Sequence, residues 1–69
     1  MSHKIKINNR TFIKSSKSDA FHCVGVEIRQ EEKLVSVINT NKRDKIIDFT
    51  FQEWNAFLSG VHAGEFKLP

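Results

Sequence analysis

Between residues 49 and 66 the chain reads Phe-Thr-Phe-Gln-Glu-Trp-Asn-Ala-Phe-Leu-Ser-Gly-Val-His-Ala-Gly-Glu-Phe, and strand-like alternation gives way to helical spacing within two residues. Thr50 followed by Glu53 is a capping box, in which the hydroxyl accepts from one orphan amide and the carboxylate returns to another. Phe49 just before the cap and Trp54 at the fourth helical position are the two halves of a hydrophobic staple. Downstream, Phe51, Trp54, Phe57, Leu58 and Val61 fall on one stripe of a helix, and Gly64 is a natural stop. The spacing predicts a helix over about 51–63 whose stripe covers one face of a sheet, with Gly60 allowing close approach. Phe66 and Leu68 flank Lys67 and predict a short strand or a tail laid on that sheet. Phe49, Thr50, Glu53, Trp54, Phe57, Leu58, Val61 and Phe66 are therefore read as structural.

The chain before this segment reads as strands. Lys4-Ile5-Lys6-Ile7 alternates with period two, and Asn8-Asn9 tolerates the positive φ of a tight hairpin turn. Thr11-Phe12-Ile13-Lys14 returns, with Ile5 opposite Phe12. Residues 15–19 form a polar loop. A second strand over 23–28 places Val24, Val26 and Ile28 on one face, with Cys23, Gly25, Glu27 and Arg29 on the other. Leu34 to Ile38 follows with apolar residues on both faces, residues 39–45 read as turn, and Ile46-Ile47-Asp48-Phe49 closes the meander. The expected fold is α+β: a small antiparallel meander of four to six strands, covered on one face by a single C-terminal helix. One domain spans 1–69, with a hairpin at about 4–14, a meander at about 22–49 and the helix at about 51–63.

Sixty-nine residues allow one small core, and a chain this short buries only roughly 60% of its unfolded surface. Such domains often recruit disulfides, a metal or a second chain. Cys23 is the single cysteine, so no intrachain disulfide forms. His3, His22 and His62 share no ligand spacing with it, and neither metal nor other cofactor is expected. A partner chain or self-association to a homo-oligomer such as a dimer is the remaining support. No apolar run reaches the roughly 20 residues of a membrane span. Met1-Ser2-His3-Lys4 lacks a following apolar stretch, so no signal peptide is read there and a cytoplasmic location is expected.

Catalytic signatures are missing. Ser15, Ser16 and Ser18 lie outside any Gly-x-Ser-x-Gly turn. Cys23 and His22 are adjacent on a strand and so point to opposite faces, which keeps them from acting as nucleophile and base. Gly25, Gly60 and Gly64 frame no phosphate loop, and His62 suits the negative end of a helix. A non-enzymatic chain is expected. The net charge of +3 is uneven, since Lys4, Lys6, Arg10, Lys14 and Lys17 precede any acid. These five residues suit nucleic-acid binding along a phosphate backbone, with Phe12 as a stacking surface. They suit equally the solvated side of an edge hairpin, where lysines discourage strand pairing.

Phe12 with Lys14-Ser15-Ser16, then Cys23-Val24-Gly25-Val26, then Val35-Ser36-Val37, then Phe49-Thr50 through Gly64-Glu65-Phe66 together resemble the small bacterial family called domain of unknown function 397. Its closing pattern, Phe-Thr-x-x-Glu-Trp-x-x-Phe-x-x-Gly-Val-x-x-Gly-Glu-Phe, is matched throughout, and the resemblance runs over about 12–68. Members often carry tryptophan where Phe12 stands, glutamate where Gly25 stands, and Arg-Asp-Ser-Lys where this chain has Ile38-Asn39-Thr40-Asn41. The resemblance implies a small accessory regulator that works with a helix-turn-helix DNA-binding protein, in a setting likened to toxin–antitoxin pairs.

The expected function is a non-enzymatic protein-interaction module in transcription regulation. Its partner surface is expected on the sheet face away from the helix, at Ser15, Ser16, Gly25, Glu27, Arg29 and Ile38. Direct nucleic-acid binding through the basic hairpin and a toxin–antitoxin-like role are the alternatives.

Overall fold

A computed structural model of the chain describes residues 3–17 and 23–69. Ser18 and His22 lie outside the described residues, as do Met1 and Ser2. Five strands, β1 (His3–Ile7), β2 (Arg10–Lys14), β3 (Val24–Arg29), β4 (Leu34–Asn39) and β5 (Lys42–Thr50), precede one helix, α1 (Phe51–His62). The strands pair in chain order and all antiparallel, making a five-stranded meander. This is the α+β sheet-and-helix architecture that the sequence predicts.

Local chemistry explains the turns. Asn8 and Asn9 adopt φ of 52° and 63°, the left-handed pair of a two-residue hairpin turn that asparagine tolerates. The turn sets the register, and Ile5 stands opposite Phe12. Between β3 and β4, Lys33 takes φ of 57°, and its amide donates to the Gln30 carbonyl at 3.3 Å. The last strand is longer than its apolar run. Residues 42–45, read as turn, belong to β5, and a register irregularity at Ile38 and Asn39 accommodates the tight connection. An edge ribbon needs hydrogen bonds but no burial, so charged residues extend it without a hydrophobic signal.

The helix has both ends closed. Thr50 Oγ1 accepts from the Glu53 amide at 3.1 Å, and Glu53 Oε1 accepts from the Thr50 amide at 2.9 Å. At the other end Ala63 is the C-cap and Gly64 takes φ of 79°. The Glu65 amide donates to the Gly60 carbonyl and the Gly64 amide to the Val61 carbonyl, the paired bonds of a Schellman motif. Gly60 is buried, but beneath Phe66 rather than against the sheet. A Cβ there would sit 2.6 Å from Phe66 Cε2. The tail after Gly64 forms no strand. Phe66 instead stacks on Phe57, with ring centroids 5.5 Å apart.

The main buried cluster lies on the other side of the sheet from the helix, while Val35, 1% exposed, is buried on the helix side. Ile7, Phe12 and Ile38 are buried together, with Ile5 and Ile46 packed against them. These residues come from β1, β2, β4 and β5, so the sheet curls and the β1–β2 hairpin folds across it. Gly25 makes the curl possible, because a Cβ there would stand 3.0 Å from Ile38 Cγ2 and 3.1 Å from Phe12 Cβ. The expectation that the whole helical stripe is core is corrected in part. Phe51 and Trp54 are half-buried, whereas Phe57, Leu58, Val61 and Phe66 are exposed. The helix packs chiefly on β4 and β5, too small a part of the sheet to bury its whole stripe.

Candidate functional site

Strand pairing assigns every strand residue to one of two faces, since cross-strand partners share a face and neighbours along a strand alternate. The hairpin-side face carries Phe12, Gly25, Ile38 and Ile46 at one end. At the other end a polar chain crosses four strands. Arg10 of β2 donates from Nε to Glu27 Oε1 of β3 at 2.9 Å and from Nη2 to Ser36 Oγ of β4 at 2.9 Å. Ser36 in turn donates to Asp48 Oδ1 of β5 at 2.5 Å. Ser36 is fully buried, so its one hydroxyl must both accept and donate, and it does. Arg29 reaches Glu32 at 3.3 Å and Asp48 at 3.9 Å, and the Arg10 guanidinium lies 5.4 Å from the Phe12 ring centroid.

This arrangement occupies much of the face that the sequence assigns to a partner. Gly25 is buried and Ile38 is 1% exposed, both sealed by Phe12 and the folded hairpin. Glu27 is engaged by Arg10, and Arg29 by Glu32 and Asp48. Ser15 and Ser16 are exposed, but Ser15 Oγ accepts from the Lys17 amide at 3.0 Å as part of a turn. The structure therefore buries Gly25 and Ile38, and leaves Glu27 and Arg29 part-exposed but held in ion pairs. The same geometry divides the basic hairpin. Arg10 and Lys14 share the hairpin-side face, where Arg10 is paired and Lys14 is buried and engaged. Lys4 and Lys6 stand on the opposite face, beside Ile13 and Thr11. Lys4, Lys6, Arg10, Lys14 and Lys17 thus make no single cationic track.

The helix-side face is the open one. One cross-strand row places Ile13 opposite Val26, Val26 opposite Val37 and Val37 opposite Ile47. Val24 is 57% exposed and Ile47 is 61% exposed. Between this row and α1 runs a groove of about 430 Å³ lined by Val24, Val37, Phe49, Glu53, Trp54 and Phe57. Trp54 and Phe57 stand 5.4 Å apart, centroid to centroid, along its wall, and Phe66 continues the aromatic line. A hollow of about 600 Å³ adjoins Val24 and Ile47 and is bordered by Lys42 and Lys45. Single exposed aliphatics are ordinary, whereas these side chains form one contiguous apolar patch.

Sequence reasoning missed Val24, Ile47 and Phe57 as surface residues. The signal was present in β4, where Val35 and Val37 face one side and Leu34 and Ile38 the other. A strand apolar on both sides needs two covers, and a single 12-residue helix is one narrow cover. Among the described residues, no group of three or more His, Cys, Asp or Glu side chains gathers into a metal site, and no helix is long and apolar enough to cross a membrane. No protein-family model, curated protein or solved structure matches the chain.

Proposed function

We propose that this chain is a non-enzymatic protein-interaction module that works in the cytoplasm. The observation that carries this reading is the open groove between α1 and β3, where Trp54 and Phe57 face Val24 and Val37. Aromatic side chains held by a rigid scaffold beside an apolar floor are the anchors around which binding energy concentrates. The resemblance to the domain of unknown function 397 family adds a context: an accessory regulator whose partner is a helix-turn-helix DNA-binding protein. Polar groups that do converge, from Arg10 to Asp48, are consumed by one another, which favours a structural use over a chemical one.

Selection of a random-sequence peptide library on the immobilised chain tests the reading. Binders should emerge and should lose the protein when Val24→Lys and Phe57→Lys are introduced together, with circular dichroism confirming that the variant folds. A library that yields no binders, alongside duplex-DNA binding that fades steeply with salt, would overturn it in favour of phosphate recognition.

A further inference from the structure

We infer that the open part of the helix-side face seats one amphipathic helix of another protein, apolar along the stripe it buries and acidic along its flanks. The inference rests on the interaction-module reading and specifies its ligand.

Width comes first. Neighbouring strands lie about 4.8 Å apart, and a packed helix needs about 8–10 Å to its neighbour, so a helix covers about two strands. Here α1 packs chiefly on β4 and β5. The strip over β2 and β3, floored by Ile13, Val24, Val26 and Ile28, has the width of one more helix. Trp54 and Phe57 form the wall against which that helix would lie.

Exposure points the same way, since Val24 is 57%, Ile28 42% and Ile13 39% exposed along the strip and Phe57 is 46% exposed on its wall.

Charge decides the partner's chemistry. Lys4 and Lys6 stand on the helix-side face of β1, beyond Ile13 and Thr11. Lys42 and Lys45 border the hollow at the end of the strip. Among the groove-lining residues Glu53 is the single acid, and its carboxylate is turned to the Thr50 amide and hydroxyl. A docked segment is thus met by lysines along one flank and at one end. Acidic flanking positions are attracted there, whereas a second copy of this chain would set lysine against lysine.

A display library of amphipathic helices with a fixed leucine stripe and randomised flanks provides the test. Selected clones should be enriched in Asp and Glu at the flanks, and Glu-to-Lys exchange in a selected peptide should weaken binding roughly ten-fold at low salt. The preference should reverse when the library is selected on a Lys4→Glu, Lys6→Glu variant, and Val24→Lys should abolish binding of every clone. Clones with neutral or basic flanks would overturn the inference while leaving the interaction-module reading intact. So would a dimer in light scattering that Val24→Lys dissociates and no peptide displaces, because a second copy would then occupy the strip. No clones at all, with salt-sensitive binding of duplex DNA or anionic vesicles, would overturn both.

Discussion

Replacing Phe12 and Phe57 separately by alanine distinguishes a core inside the curl of the sheet from a core beneath the helix. Phe12 is 0% exposed and packs on Gly25 and Ile38, so Phe12→Ala leaves a closed cavity and should cost about 3–5 kcal/mol. A chain of this length has a total stability of about 3–10 kcal/mol, so much or all of it is lost. Phe57 is 46% exposed. Full burial of a phenylalanine is worth about 1.5–3 kcal/mol, so truncating a half-buried ring that opens no cavity should cost about 1 kcal/mol. Urea unfolding read by Trp54 fluorescence and by circular dichroism compares the two. If Phe12→Ala does not fold, Phe12→Leu keeps most of the volume and should lose less than about 1.5 kcal/mol. The comparison belongs at low protein concentration, because association through the helix-side face would bury Phe57 and raise the midpoint with concentration. Equal losses for the two alanine variants in dilute solution would refute the placement of the core.

Two further substitutions probe local features. Thr50→Ala removes the acceptor for the Glu53 amide and should lower stability by about 1 kcal/mol, while Thr50→Ser should restore most of it; an unchanged urea midpoint for the alanine variant would show that the cap contributes nothing. Glu27→Gln leaves Arg10 with a weaker acceptor across β2 and β3 and should cost about 1 kcal/mol, and a double-mutant cycle with Arg10→Met should show positive coupling; additive losses would mean that the pair does not tie the hairpin down.

The features legible in the sequence are those governed by a few consecutive residues. The Asn8-Asn9 turn fixes φ, φ fixes the register, and the register puts Ile5 beside Phe12. Thr50 and Glu53 mark the helix start through one short-range hydrogen-bond pattern. The placement of the core is different in kind. Period two says that Val24 and Val26 share a face, but the direction in which the sheet bends decides which face is enclosed. That direction depends on the missing side chain at Gly25 meeting Phe12 and Ile38, three residues brought together from three strands. For that reason the sequence pattern alone places Gly25 and Ile38 on a free surface, and Phe57, Leu58, Val61 and Phe66 in the core. Lys42 to Lys45 escaped assignment as strand because a charged edge carries no pattern of burial.

For the docking proposed above, the closure of both ends of α1 bears on how fast and at what entropic cost a partner would be received. An isolated helix of 12 residues is marginal in water, and a half-covered one would ordinarily fray until its ligand arrived. Here the capping box, the Schellman turn and Phe66 over Gly60 hold it from within its own segment. Trp54 and Phe57 are therefore already in place before any encounter. Association can proceed without a folding step on this side, so most of the ordering entropy falls on the incoming segment. Affinity differences among ligands should then appear chiefly in how slowly they leave.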